Sequence, residues 1–302
     1  MKRLIRKINT WMQYRYLSKV EKGSYQFLLH KIEKSTDIDF IEKVWQLDHF
    51  REVLIPRPIP LSELKKILVL APHQDDEAIG CGGTLLNLAE QGASITTVFL
   101  TNGAELTDPE TSVAIRHKEA INATRTYSGK AEFLDIDNIS MDILEEHTEK
   151  LVGLLNERWD AVFTVWPIDQ PPKHRVCAYF VGQCLSKSSY NGIIYYYAVH
   201  TDLLPNFYTD ISKHINAKQE LIRCYPSQLK AQAYDHLSHG MDAWRSRFLK
   251  SSPDKRYVEV FMGIPKKAYI DFMEVFDISD PQKLFKGNEN CIRSFKKLRG
   301  QH

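Results

Sequence analysis

Short apolar runs alternate with longer mixed segments between residues 65 and 199. The apolar runs predict buried strands at 65–71, 93–101, 132–136, 160–166 and 192–199. The intervening segments predict helices at about 77–91, 109–128, 142–157 and 174–186. In the second of these helices, the expected apolar stripe consists of Ile115, Ala120, Ile121 and Ala123.

This alternation implies an α/β fold, with a Rossmann-like, doubly wound and mostly parallel sheet and helices on both faces. In a sheet ordered 3-2-1-4-5, the first and fourth strands are neighbours at the switch point. Ligands of such sheets bind in the crevice beyond the carboxyl ends of these strands. The segments after residues 71 and 166 are therefore the places where site residues are expected.

A helical extension is predicted before the sheet. Residues 3–34 have helical apolar spacing, and the prolines of residues 55–60 indicate a linker. An apolar stripe beside basic residues predicts attachment, either to an anionic membrane surface or to the body of the protein. The stripe is Leu4, Ile8, Trp11 and Met12, beside Lys2, Arg3, Arg6 and Lys7. We thus predict a helical extension and linker at 1–60, a catalytic domain at 61–265 and a basic C-terminal tail at 266–302.

Composition narrows the function classes. The net charge of +2 argues against nucleic acid as a partner. The five cysteines form no CxxC pair, which argues against a zinc–cysteine site or a disulfide framework and favours a reducing compartment. Since no run of 18 apolar residues occurs, we expect a cytoplasmic protein, either free or held peripherally at the inner membrane surface.

The segment after the first strand carries the first candidate site. His73 and Asp76 lie three residues apart where the strand passes into a helix, so one imidazole and one carboxylate can face one ion. This ligand pair suits zinc or another first-row divalent metal. Asp75 projects differently and is free to act on a bound water. The alternative is that these acids only cap the helix.

The segment after the fourth strand supplies the third candidate ligand, His174. The predicted strand order brings His174 to the same crevice, where it completes a His-Asp-His set; the alternative is an ordinary surface histidine. The glycine-rich stretch Gly80-Cys81-Gly82-Gly83 lies in the helix after the first strand and does not match GxGxxG. They indicate close helix–strand packing rather than dinucleotide binding.

Four segments resemble the PIG-L/LmbE deacetylases, in the order found in that family. Residues 71–84 (APHQDDEAIGCGGT) resemble its PHxDDE signature, and Arg116 to Glu119 resemble its RxxE helix. Residues 167–174 resemble PxDxHPDH, and the segment from Asp210 to Gln228 resembles DIS…K…SQ. The resemblance implies zinc bound by His73, Asp76 and His174, Asp75 as general base, Arg116 in substrate binding and Glu119 in its support.

The second motif departs from the family at two positions. Pro171 replaces its His, and Lys173 replaces its Asp. The family His is thought to stabilise the oxyanion or protonate the leaving amine. His200 follows the fifth strand and is our candidate to replace it; His117 is a second.

We therefore predict a zinc-dependent deacetylase of an N-acetylated sugar or glycoconjugate. The expected substrate is an N-acetylglucosamine type of cell-surface glycan, glycolipid or nucleotide-sugar precursor. Pro171 and Lys173 leave a degenerate protein that binds a glycan or metal without hydrolysis as an alternative. The second alternative is a nucleotide-binding transferase or dehydrogenase on the same kind of sheet. It would require a phosphate-binding glycine loop, and the sequence has none.

Overall fold

The computed structural model describes Lys43 and residues 56–300. The helix predicted at 3–34 lies outside these residues. Within them, eight strands form one sheet in the order β1-β7-β8-β6-β5-β2-β3-β4. They are β1 (Arg57–Pro58), β2 (Lys66–Ala71), β3 (Ser94–Thr101), β4 (Lys130–Ile136), β5 (Ala161–Val165), β6 (Ile193–Tyr197), β7 (Phe207–Asp210) and β8 (Val258–Pro265).

Ten α-helices surround this sheet in the described part of the chain. They are α1 (Asp76–Glu90), α2 (Pro109–Thr126), α3 (Glu145–Leu155), α4 (Pro172–Lys187), α5 (Ile215–Arg223), α6 (Pro226–Leu229), α7 (Tyr234–Arg245), α8 (Lys266–Asp277), α9 (Pro281–Leu284) and α10 (Glu289–Leu298). No helix among the described residues is long and apolar enough to cross a membrane.

The predicted doubly wound fold is confirmed. Strand β2 pairs in parallel with β3 on one side and β5 on the other. Strands β4 and β6 extend the parallel part at its two ends, which gives the predicted order 3-2-1-4-5 for the five predicted strands. The carboxyl ends of β2 and β5 therefore lie side by side at the switch point.

Beyond β6 the sheet continues through three strands that the apolar pattern did not predict. Strand β8 runs antiparallel to both β6 and β7, and β1 pairs in parallel with β7. Two residues of the predicted linker, Arg57 and Pro58, therefore belong to the sheet. A proline is tolerated there because β1 is an edge strand and one side of it needs no donor.

The core lies on both faces of the sheet. Side chains alternate along a strand, so Leu68 and Leu70 of β2 pack into one apolar cluster while Ile67 and Val69 pack into the other. The glycines of α1 permit close packing as expected. A methyl group at Gly80 would overlap the Tyr197 ring of β6, and one at Gly83 would overlap Ile211.

Helix α2 departs from the predicted apolar stripe. Ile115 is 44% exposed and Ile121 is 38% exposed, so the stripe assigned to them is wrong. The buried face instead carries Arg116 and Glu119, together with Ala120, Ala123 and Thr124. Two charged residues point inward because this face is turned towards polar partners in α6.

The basic C-terminal residues form α8, α9 and α10. Helices α8 and α10 both pack on α4, and the side chains of Phe272, Phe276 and Phe295 are fully buried in the same core as the sheet. The basic residues of this region therefore surround an apolar interior. The division of the chain at residue 265 stays a prediction.

Candidate metal centre

The site is built where β2 passes into α1. Strand β2 ends at Ala71, and four intervening residues lead to the start of α1 at Asp76. The backbone N–H of His73 donates to Asp76 Oδ2 at 2.8 Å, which closes the turn. Asp75, directly before the helix, has a φ of 131°, a conformation that residues other than glycine rarely adopt. Such strain is typical of functional sites.

Three side-chain atoms converge at this turn. His73 Nδ1 lies 3.1 Å from His174 Nε2 and 3.3 Å from Asp76 Oδ2, and His174 Nε2 lies 3.3 Å from the same oxygen. Ligand atoms of a tetrahedral metal at about 2.0–2.1 Å are themselves about 3.3–3.4 Å apart. The three atoms therefore have the spacing of one face of a zinc tetrahedron.

Hydrogen bonds hold both imidazoles in the form that a metal requires. His174 Nδ1 lies 2.8 Å from Asp169 Oδ2, and His73 Nε2 lies 3.0 Å from Asn138 Oδ1. When each ring donates its N–H to that oxygen, the other nitrogen carries no proton and is directed at the shared centre. This arrangement of an outer oxygen behind a histidine is common at metal sites.

Asp169 is fully buried, and its carboxylate has hydrogen-bond partners besides His174. Its carboxylate also accepts from the backbone N–H of Gln170 at 3.0 Å and of His200 at 3.1 Å. The segments that follow β5 and β6 are thus tied together by one carboxylate. Neither Asp169 nor Asn138 was among the predicted site residues. Asp169 lies within the second motif, whereas nothing in the sequence around Asn138 marked it.

The electrostatics separate the two adjacent aspartates. Burial alone raises the pKa of Asp76, but the interactions of its carboxylate with His174 and His73 outweigh burial and lower it. Burial, followed by repulsion from Asp76, raises the pKa of Asp75. Burial lowers the pKa of His73. Asp76 and His73 thus favour the forms that bind metals, an ionised carboxylate and a neutral imidazole. Burial lowers the pKa of His174, but the carboxylates of Asp76 and Asp169 outweigh burial and raise it.

Arg116 and Glu119 of α2 form a second polar group. Arg116 Nη2 donates to Gln228 Oε1 at 2.6 Å. Glu119 accepts from the backbone N–H of Ser227 at 2.9 Å and from its hydroxyl at 2.6 Å. The two residues that matched the RxxE helix thus contact the two that matched SQ. Together they fix α6 against α2.

Lys218, from the same matched tract, is fully buried away from this crevice. Its Nζ lies 2.6 Å from Asp242 Oδ2 and 2.8 Å from Glu259 Oε1. Glu259 also accepts from the backbone N–H groups of Gly83 and Thr84 at 2.8 and 2.7 Å. The ion-pair network therefore joins α1, α5, α7 and β8, and its role is structural.

The structure places the substituted motif positions at the rim of the centre. Pro171 precedes α4 and has no side-chain group to act on a substrate. Lys173 is half-buried, and its Nζ donates to Asn138 Oδ1 at 3.2 Å, the atom that also accepts from His73. The motif substitution has therefore put a cation next to the oxygen that orients a candidate ligand.

The two histidines considered as replacements lie in different places. The His200 ring is centred 5.3 Å from the His174 ring and 6.0 Å from the Tyr234 ring, and it is exposed to solvent. The His117 ring stacks on Phe133 at 3.9 Å, and its Nε2 lies 3.0 Å from Asp135 Oδ1. His200 is thus beside the candidate centre, whereas His117 is engaged with β4.

Comparison with known proteins agrees with the motifs. The family model described as PIG-L: GlcNAc-PI de-N-acetylase matches residues 68–185. The chain is 26% identical to a diacetylchitobiose deacetylase of Thermococcus kodakarensis, over 58% of this chain and 74% of that protein.

Solved structures share the fold at lower identity. An N,N'-diacetylchitobiose deacetylase from Pyrococcus horikoshii superposes with a TM-score of 0.60 at 22% identity, covering 82% of this chain and 93% of that one. GalB, a 4-carboxy-2-hydroxymuconate hydratase from Pseudomonas putida KT2440, superposes with a TM-score of 0.58 at 18% identity, covering 67% and 96%. One of these structures is named as a deacetylase and the other as a hydratase, so the shared fold alone does not identify the reaction. The match to the PIG-L family model, by contrast, is a similarity of sequence, and it covers residues 68–185 of this chain.

Proposed function

We propose that this protein is a metal-dependent hydrolase that removes the acetyl group from an N-acetylated amino sugar. The observation that carries the proposal is the convergence of His73, Asp76 and His174 on one point, with Asp75 beside them. The PIG-L match and the diacetylchitobiose deacetylase relative support acetamido sugars as the substrate class.

His73, Asp76 and His174 would hold the metal, which we take to be zinc or another first-row divalent ion. Their spacing and the oxygens behind both imidazoles fit such an ion. When bound, the ion would polarise the amide carbonyl and lower the pKa of the attacking water. Three protein ligands leave a coordination position open for this chemistry.

Asp75 would serve as the base that takes a proton from water. Its side chain is 7% exposed, and among residues 56–300 its carboxylate accepts no hydrogen bond that would occupy it. Burial raises its pKa, which makes the carboxylate a better proton acceptor near neutral pH. The same group can return the proton to the departing nitrogen, since an amide anion is too basic to leave.

Arg116 and His200 would act on the substrate around this centre. Arg116 is 9% exposed and is held by Gln228, so its guanidinium is preorganised to bind a hydroxyl or carbonyl oxygen. His200 lies next to His174. We assign His200 the stabilisation of the oxyanion or of the departing amine that the histidine of the motif would otherwise provide.

A second candidate function is glycan or metal binding without hydrolysis. Pro171 favours it, since this position lacks a side chain able to donate a proton. The intact base, Asp75, favours the hydrolase instead.

Acetate release separates the two functions. Zinc-loaded protein would be assayed with N-acetylglucosamine, diacetylchitobiose, and nucleotide-linked and lipid-linked N-acetylglucosamine. We expect acetate and free amine from at least one of them. Asp75→Asn should keep its metal and lose turnover by roughly 10²–10⁴-fold, as for a lost general base. Undiminished turnover in that variant would remove Asp75 from the mechanism, and binding without any release would favour the second function.

A further inference from the structure

Lys173 is a cation placed where neither stability nor packing explains it. It lies in the first turn of α4, and no acidic residue shares that turn. A positive side chain at the amino end of a helix interacts unfavourably with the helix dipole. The position therefore suggests a purpose other than stabilising α4.

The Lys173 ammonium interacts electrostatically with the Asp137 carboxylate but forms no ion pair with it. No carboxylate of residues 56–300 lies within 4.0 Å of its Nζ, and its single hydrogen bond is to the neutral Asn138 Oδ1. An ammonium has three N–H groups. Because the Asp137 carboxylate does not contact the half-buried ammonium, the remaining donors are available for an anion of a bound substrate.

Lys173 lies close to the candidate metal ligands, so an anion bound to it would be near the reacting group. Asn138 Oδ1 accepts from both Lys173 Nζ and His73 Nε2, so the ammonium lies one shared acceptor away from a candidate metal ligand. Lys173 also directly precedes the candidate ligand His174 in the first turn of α4, which puts it beside the crevice where a substrate would bind. A charged substituent near the acetamido group of that substrate would then lie close to the ammonium.

We propose that Lys173 is a specificity-determining residue that binds an anionic substituent of the substrate. The preferred substrate is then an N-acetylated amino sugar with a phosphate or carboxylate on a carbon next to the acetamido carbon. This inference rests on the proposed function and narrows its substrate class. A charge-assisted hydrogen bond in a half-buried site is roughly twice as strong as a neutral one, so the preference is expected to be about tenfold or more.

The test compares matched sugars. N-Acetylglucosamine, its 1-phosphate and N-acetylmuramic acid, which carries a carboxylate, would be assayed for kcat/KM with wild type, Lys173→Met, Lys173→Arg and Lys187→Met. Lys187 is exposed at the far end of the same helix and serves as the control. Wild type and Lys187→Met should prefer at least one anionic sugar about tenfold or more, Lys173→Arg should keep much of that preference, and Lys173→Met should lose it.

The preference ratio distinguishes recognition from structural support. If Lys173 only orients Asn138, Lys173→Met lowers kcat/KM equally for neutral and anionic sugars, and the inference fails. It also fails if wild type shows no anionic preference. The two anionic sugars separate phosphate from carboxylate recognition.

Binding keeps this test independent of turnover. Calorimetry on metal-free protein should show tighter binding of an anionic sugar than of N-acetylglucosamine, and Lys173→Met should abolish the difference. If no sugar releases acetate while this difference is present, the proposed function fails and the recognition by Lys173 stands. If the difference is absent, the inference is overturned whatever the turnover.

Discussion

At the scale of single residues, the candidate centre depends on side chains that would not touch the metal. Asp169 and Asn138 each hold one imidazole by a hydrogen bond to the nitrogen remote from the shared point. Without these oxygens, either ring can rotate or carry its proton on the nitrogen that should be free. The two outer residues would therefore govern how well the three inner ones bind a metal.

Asp169→Asn should weaken metal binding while leaving all three ligands in place. Loss of the carboxylate charge weakens the hydrogen bond from His174 and lowers the basicity of its ligating nitrogen. Outer-residue changes of this kind reduce affinity by roughly 10–100-fold. Competition against a chromophoric chelator measures the change, with Asp254→Asn as the control because Asp254 is exposed and bonds only to Ser252. Equal affinity in the two variants would show that Asp169 does not support the centre.

His200→Ala should lower turnover at least about tenfold without changing metal content, since the ring lies next to the centre but is not one of the converging ligands. Paired measurements of acetate release and metal stoichiometry check both parts. Loss of metal would make His200 part of the binding site. Unaltered turnover would leave Asp75 as the only acid–base group.

At the scale of elements, α1 must approach the sheet closely to bring Asp75 and Asp76 to the end of β2. Gly80 faces the ring of Tyr197, whose hydroxyl donates to the Leu70 carbonyl at 3.1 Å. The glycine-rich stretch was interpreted from the sequence as a packing feature, and the contacts agree. Because its glycines have no side chains, α1 can lie close enough to the sheet to bring Asp75 and Asp76 to the site.

Gly80→Ala should destabilise the protein by about 1–3 kcal/mol, because the added methyl group overlaps a fully buried ring that has no space to move. Gly153→Ala is the matched control. Gly153 also lies within a helix but is exposed, with nothing within 4 Å of an added methyl group. That change should stabilise by roughly 0.5–1 kcal/mol. Urea unfolding compares the two variants, and equal midpoints would contradict the close packing of α1 on β6.

The apolar pattern predicted the five parallel strands because most of them are almost continuously buried runs, and it predicted helices in the longer mixed segments between them. It failed for β1 and β7, which have two and four residues, too few to show a period, and it also missed the eight-residue β8. It also misassigned the stripe of α2. There Arg116 and Glu119 are buried by pairing with residues about 110 positions later in the chain, a contact that local periodicity does not contain.

At the scale of the whole molecule, strand order accounts for how much of the site was predictable. Once β2 and β5 are neighbours, the segments after them must meet, so His73, Asp76 and His174 followed from topology. Asn138 was missed because it follows β4, two strands away from β2. The role of the N-terminal helix, as a membrane contact or a packing element, stays a prediction outside the described residues.

The measurement that tests the central claim most directly is a zinc titration of acetate release. Protein stripped of metal by a chelator would be supplied with increasing zinc and assayed on the best N-acetylated sugar. The three converging ligands predict no turnover without metal and a rise that saturates near one zinc per chain. Full acetate release from metal-free protein, or no release at any zinc concentration, would contradict the assignment of this chain as a metal-dependent deacetylase.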